Sequence, residues 1–331
     1  MAERGRLRIG ILGAARIAPM ALVRPARRVP EVEVAAVAAR DPARARAFAA
    51  RHGIPRAHAS YDALVADAEL DAVYNPLPNS LHCAWTIRAL EAGKHVLCEK
   101  PLASNADEAA RMVAAAARAQ RRLVEAFHWR YHPLAARMRA ILDAGEIGAV
   151  RRVETAMCVP LPLRGDIRYR LDLAGGATMD TGCYAVHMLR FLAGEEPAEV
   201  SAVRAKLSSP GVDRWLEAEL RFPGGATGRI TCSLFSSALL RIRARVVGER
   251  GELRVANPVA PHLWHRLAVR TPAGRRAERV PGEATYTHQL RAFADAVLGG
   301  GPVPTGGEDA IANMRVIDAI YAKAGLPPRG A

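Results

Sequence analysis

Leu7–Ala18, LRIGILGAARIA, is the stretch on which the fold turns. Leu7–Leu12 is a short apolar run that reads as a buried strand, and Gly13-Ala14-Ala15-Arg16-Ile17-Ala18 leads from it into a helix read over residues 16–28. Against the dinucleotide-binding spacing G-x-G-x-x-G, only the first glycine stands; Ala15 and Ala18 occupy the other two places. The physical requirements are still met. Gly13 permits the tight turn, Ala15 is small enough for a phosphate to approach main-chain N–H groups, and Ala18 lets helix and strand pack closely. A plain βα turn would read the same, so context decides. The stretch follows the first strand, opens a helix and lies in a βαβ unit of suitable length.

Strands and helices alternate outward from it: strand 32–39, helix 42–52, strand 70–74, helix 80–91, strand 95–98, helix 105–119, strand 123–126. Asp41 is placed to cap the second helix, with Pro42 at its first position, and Ser104 to cap the last. Single helices between strands imply right-handed crossovers and a parallel sheet. The pattern then changes. Helix 133–144 and strand 149–157 precede a loop rich in Pro, Arg and Gly (158–177) and helix 181–192. Strand candidates 200–207, 215–222, 226–235, 240–247 and 252–255 follow without intervening helices, and helices 286–298 and 308–324 close the chain. The fold class is α/β: an N-terminal Rossmann domain, 1–126, plus a C-terminal α+β domain, 127–331, with an open, mainly antiparallel mixed sheet. The last helix is expected to pack back on the first domain.

With 331 residues the chain exceeds one ordinary core, in keeping with two domains. Its net charge is +14, and of 47 Lys+Arg only four are lysine: Lys94, Lys100, Lys206 and Lys323. The arginines are scattered and not interleaved with aromatics, which argues against nucleic acid and for anionic small ligands. Five cysteines, an odd number without CxxC, argue for a reducing cytoplasm and against disulfides or structural zinc. No metal set is read, since Pro133 follows the His128/His132 pair at once. The N-terminal stretch lacks the apolar run of a signal peptide, so none is expected, and no apolar window approaches the roughly 18 residues that would suggest a membrane span.

Two further stretches carry chemistry. The second strand ends in Ala38-Ala39-Arg40-Asp41. An NAD site wants an acid there for the ribose hydroxyls, whereas Arg40 suits a 2′-phosphate. Asp41 stands one place late and already caps a helix, so NADP(H) is favoured over NAD(H). The fourth strand, in VLCEKPLA (Val96–Ala103), runs straight into Glu99-Lys100. Charge at the end of an apolar strand is costly unless paired or used. Neighbours on an extended strand point to opposite faces, so Glu99 and Lys100 do not pair with each other. A lysine can hydrogen-bond a carbinol oxygen and share in a proton relay; an arginine, always protonated, cannot. In GGATMDTGCYAVH (Gly175–His187), Asp180 and Tyr184 are i and i+4 on one helix face. A capping Asp and a core Tyr would read alike.

Together, Gly10-Ile11-Leu12-Gly13-Ala14-Ala15, Tyr74-Asn75-Pro76-Leu77-Pro78-Asn79-Ser80-Leu81-His82 and Glu99-Lys100-Pro101 resemble the Gfo/Idh/MocA oxidoreductases, over essentially the whole chain. The resemblance is to the branch with glucose–fructose oxidoreductase, D-xylose dehydrogenase and dihydrodiol dehydrogenase. It implies that NADP(H) is held by Gly13, Ala14, Ala15, Arg16 and Ile17 at the first turn, and by Ala39 and Arg40. It further implies cofactor contacts from Pro76, Leu77, Asn79 and His82, from Glu99 and Lys100, and from Trp129 and Arg130. It implies substrate contacts from Lys100, Arg130, His132, Asp180 and Tyr184, and a cis Lys100–Pro101 bond.

Lys100, Tyr184 and Asp180 form the implied catalytic set. Tyr184 gives or takes the proton with its pKa lowered by Lys100 from about 10, and Asp180 orients substrate or lysine. His187, three residues after Tyr184, is read as structural or as a support to the site. The implied activity is hydride transfer between nicotinamide and a secondary alcohol or ketone of a sugar, cyclitol or cyclic diol. The implied assembly is a homodimer or homotetramer through the C-terminal sheet. Two alternatives stay open: a non-catalytic dinucleotide-sensing regulator, and a sugar–sugar oxidoreductase with tightly held NADP. The latter carries an N-terminal arm in its branch, and about six residues before the first strand argue against it here. The loop bearing Arg164, Asp166, Arg168 and Tyr169 is left unassigned.

Overall fold

The computed structural model describes residues 5–162 and 165–330. The chain divides into two compact units. One holds the residues through Ala103 together with Asp107–His128 and Tyr286–Ala310; the other holds Ser104–Ala106, Trp129–Thr285 and the residues from Ile311 on.

In the first unit β1 (Leu7–Leu12) runs into a π-helical turn, Pro19–Val23, and the short α1 (Arg24–Ala26). Then come β2 (Val32–Ala38), α2 (Pro42–His52), β3 (Arg56–His58), α3 (Tyr61–Val65), β4 (Ala72–Asn75), α4 (Asn79–Glu91), β5 (His95–Cys98), α5 (Ala106–Ala119) and β6 (Leu123–Glu125). All six strands are parallel, in the order β3-β2-β1-β4-β5-β6. This is the doubly wound order, in which ligands bind beyond the carboxyl ends of the strands. Ile9, Ile11, Val73 and Leu97 are fully buried, as expected of a parallel sheet covered on both faces. Asp41 caps α2 as its position predicts, its Oδ1 accepting from Ala43 N at 2.8 Å. The helix read over 16–28 is instead the π turn and α1.

In the second unit α6 (Pro133–Asp143) precedes β7 (Val150–Cys158). A π turn, Thr178–Gly182, leads into α7 (Cys183–Ala193). Seven strands follow: β8 (Glu199–Ser209), β9 (Val212–Arg221), β10 (Thr227–Ser233), β11 (Arg241–Gly248), β12 (Glu252–Ala256), β13 (Arg266–Thr271) and β14 (Gly274–Glu278). The sheet order is β14-β13-β12-β11-β7-β10-β9-β8; only β7 and β10 pair in parallel. Thr155 of β7 faces α7, its Oγ1 donating to Ala185 O. On the opposite face Glu219, Arg229, Glu154 and Arg245 stand in register across β9, β10, β7 and β11. Arg229 pairs with Glu219 (2.7 Å) and Arg245 with Glu154 (3.3 Å). Helices α8 (Thr285–Gly299) and α9 (Glu308–Lys323) end the chain; α8 belongs with the first unit from Tyr286 on, α9 with the second from Ile311 on.

Among the described residues no helix is long and apolar enough to cross a membrane. No group of His, Cys, Asp and Glu there could hold a metal ion. The five cysteines form no disulfide and are buried.

Candidate active site

The candidate residues fall in two groups, one in each unit. In the first unit they gather at the carboxyl ends of β1, β2, β4 and β5. Gly13 has φ +97°, its N–H donates to Ala38 O (2.7 Å), and a Cβ there would press on Leu77 Cδ2 at 3.1 Å. The conformation calls for glycine. Ala14, Ala15 and Ile17 are half-buried and Arg16 is exposed; no side chain caps the π turn that follows. This is a cradle of small residues beside a helical turn that no side chain caps, as suits a dinucleotide phosphate.

At the end of β2, Ala39 is buried and Arg40 exposed, while Asp41 is engaged by its helix. Tyr61, which the sequence reading missed, lies between these features. Its hydroxyl oxygen would stand 3.8 Å from a Cβ on Gly13. Burial raises its pKa, and Arg40 pulls the other way. Ser60 caps α3 through Ala63 N, so the turn that aims Tyr61 was in principle legible.

Between β4 and α4 the sequence reading needs correction. His82 is fully buried, with Nε2 2.8 Å from Leu77 O and Nδ1 2.9 Å from Pro101 O. Both ring nitrogens lie against main-chain carbonyls, only one of which can accept from the single N–H of a neutral ring, and His82 is buried between the Leu77 and Pro101 loops, out of reach of a cofactor. Burial is the larger influence on its pKa and lowers it, against the pull of the carbonyls. Pro76 and Leu77 are buried and Asn79 is half-buried.

At the end of β5, Glu99 accepts from Tyr74 O–H at 2.6 Å, and burial with Glu99's charge raises the Tyr74 pKa well above its ordinary value. Lys100 is half-buried and its bond to Pro101 is cis. Leu102 N–H donates to the buried Glu125 carboxylate (2.7 Å), so the loop after Lys100 is pinned. Lys94 differs: its buried ammonium donates to Asp67 O (2.6 Å) and Leu70 O (2.8 Å), a structural use.

In the second unit Asp180 lies in the π turn before α7, one-fifth exposed, with Arg168 Nε 2.9 Å from Oδ2. Arg168 also pairs with the buried Asp166 (3.0 Å), so the loop left unassigned from sequence closes on Asp180; Arg164 lies outside the described residues. Tyr184 is the second residue of α7 and is nearly buried, 4% exposed. π turns recur at functional sites, and this one replaces the regular helix start expected at residue 181.

Two more expectations fail here. Trp129 is fully buried, donating from Nε1 to His187 Nδ1 (3.2 Å) and packing edge-on against His187 and Phe191. It is core and cannot contact a cofactor. Because an indole only donates, His187 must present an unprotonated Nδ1, the structural role read for it. His132 is 1% exposed, caps α6 by accepting from Leu134 N, and packs against Gly282, so it is not placed to bind substrate. Arg130 lies over the Phe191 ring at 3.9 Å and is half-buried.

Known proteins resemble the chain over most of its length. Residues 7–127 match the model of the oxidoreductase family with NAD-binding Rossmann fold, and residues 135–254 that of the GFO/IDH/MocA C-terminal domain. The chain is 41% identical to a D-xylose 1-dehydrogenase (NADP(+)) of Haloferax volcanii, over 95% of this chain and 96% of that one. It superposes with a TM-score of 0.88 and 29% identity on a 3-ketoreductase from Actinomadura kijaniata in complex with NADP and TDP-benzene, covering 96% of this chain and 98% of that one. It also superposes, at 0.87 and 28% identity, on an aldose-aldose oxidoreductase from Caulobacter crescentus, covering 97% and 98%.

Proposed function

The chain belongs to the GFO/IDH/MocA oxidoreductase family, and we propose that it is an NADP(H)-dependent enzyme exchanging a hydride between nicotinamide and a secondary alcohol or ketone of a sugar, cyclitol or cyclic diol. The observation that carries the cofactor choice is the end of β2. Arg40 is exposed there, while the nearby acid, Asp41, is committed to capping α2. The cradle at Gly13–Ala15 suits the pyrophosphate, and Arg40 the 2′-phosphate.

We assign Lys100 to hold the reacting oxygen and Tyr184 to give or take its proton, with Asp180 orienting the substrate. The half-buried position of Lys100 at a pinned strand end supports its part. The Arg168 ion pair fixes Asp180 and supports an orienting role. We place the enzyme in the cytoplasm, in keeping with five cysteines that form no disulfide. We also propose a homodimer or homotetramer through the outer face of the eight-stranded sheet, whose register-matched charges would be covered in it; a monomer by light scattering refutes that assembly.

The test of the activity is NADPH formation from NADP+ with a panel of aldoses, cyclitols and cyclic diols. Turnover that falls by about 10²- to 10⁴-fold in Lys100→Ala is the expected result. NADPH binding without turnover of any panel member would favour a dinucleotide-sensing regulator instead. The likeness to an aldose–aldose oxidoreductase gives a second reading, which NADP co-purifying with the protein would support.

A further inference from the structure

The second unit contains a buried ion pair whose partners converge on the segment leading to Asp180 and Tyr184. Arg329 and Asp213 both have fully buried side chains, 3.3 Å apart. Desolvating two charges costs more than their attraction returns unless their other hydrogen-bonding groups are also satisfied. Here they are. Asp213 Oδ2 accepts from both N–H and Oγ1 of Thr178 at 2.7 Å, and Oδ1 from Tyr321 O–H at 3.0 Å. Arg329 donates from Nε to Gly175 O (2.8 Å), with further bonds to Pro327 O and Gly211 O, and stacks 4.0 Å from the Tyr321 ring.

Between them lies Gly176, at φ +133°. A Cβ there would fall 2.3 Å from Asp213 Oδ1 and 2.8 Å from the Tyr321 hydroxyl. Gly175–Thr178 is therefore gripped at both ends, and Thr178 is the first residue of the π turn that carries Asp180. The carboxylate of Asp213 occupies the N-terminal end of this turn, where an anion is favoured.

We propose that Asp213 and Arg329 are positioning residues that fix the start of the π turn, and so the placement of Asp180 and Tyr184. The inference rests on the roles proposed above for those two residues. Removing Arg329 alone would strand a buried charge, so the informative variant is Asp213→Val/Arg329→Met, which removes both charges together. It also removes the acceptor for Thr178 N–H.

Three quantities are read on the full chain: NADPH affinity, kcat against KM for substrate, and hydrogen exchange of residues 177–184. We expect unchanged NADPH affinity, exchange at 177–184 faster by about tenfold and kcat lower by about 10- to 100-fold with little change in KM. Asp213→Asn/Arg329→Met, which keeps an amide oxygen for Thr178 N–H but loses the Arg329 bond to Gly175 O, is expected to recover only part of both losses. A Val/Met variant with wild-type exchange and kcat would overturn the inference. Arg329→Lys repeats the test with the buried charge balance kept: reduced kcat at unchanged NADPH affinity supports the anchor, and wild-type kcat with wild-type exchange overturns it. Asp180→Asn and Tyr184→Phe are run beside these. If both turn over normally while exchange still rises in the Val/Met variant, the anchor stands and the catalytic assignment fails.

Discussion

Two glycine turns lead into the two groups of candidate residues, and they are built on opposite plans. Gly13, at φ +97°, packs against the apolar Leu77, and no side chain caps the helical turn after it. Gly176, at φ +133°, is enclosed by Asp213, Tyr321 and Arg329, and the turn after it receives the Asp213 carboxylate on Thr178 N–H. One helix start is left for an anion from outside; the other is filled by the protein's own carboxylate. Binding and positioning thus use the same main-chain chemistry, with the charge supplied by ligand in one case and by the fold in the other.

The largest expected effect separates the two turns by stability. Gly176→Ala drives a methyl group into a buried carboxylate and should cost about 3 kcal/mol or more. Gly13→Ala meets only the flexible end of a leucine and should cost about 1–2 kcal/mol, mostly from its positive φ. Urea unfolding of both variants checks the order. NADPH binding should reverse it: Gly13→Ala should weaken binding about tenfold by shifting the phosphate-facing turn, whereas folded Gly176→Ala should bind normally. Equal losses in both assays would break the contrast.

A smaller effect distinguishes the units in acid. His95, on β5 of the first unit, is held to a pKa of about 4 by burial and then by Arg121 and Arg122. Its Nδ1 accepts from Arg122 N–H at 2.9 Å, a bond that protonation would break. Its folded pKa lies below its unfolded value of about 6.5, so the unfolded chain binds the extra proton first. Stability from this group is therefore full above that value and declines as pH falls towards 4. After discounting for partial exposure, the loss is on the order of 1–2 kcal/mol.

Glu278, in the second unit, is held at about 2 chiefly by its hydrogen bond from Arg137, with Arg276 adding to it. Its contribution is lost only as pH falls from about 4.5 towards 2. Thermal melts of wild type and His95→Gln between pH 7 and 4 should show the difference; identical acid slopes would remove His95 from the account.

Local signals in the sequence were reliable and long-range ones were not. β1, α2 and β5 coincide with their expected bounds because burial pattern, cap and proline all lie within the element itself. β14 escaped notice because Gly-Arg-Arg-Ala-Glu is an edge strand with no inward apolar residue to mark it. β13 escaped with it: Leu267 and Val269 point inward, but the arginines beside them obscured the alternation. His82, His132 and Trp129 are expected at the site from the family resemblance alone. Only the fold reveals the Leu77 and Pro101 carbonyls, the α6 cap and the His187 ring that use them up. The grip on Gly175–Thr178 was invisible for the same reason, since Arg329 lies far along the chain from the turn it holds.

The most direct test of the central claim, that Arg40 selects NADP(H) at the open turn, is fluorescence titration of NADPH and NADH into wild type and Arg40→Ala. The account predicts that wild type prefers NADPH and that the variant loses about 10- to 100-fold in NADPH affinity with NADH affinity unchanged. Equal or tighter NADH binding, indifferent to the substitution, would return the ribose contact to Asp41 and contradict it.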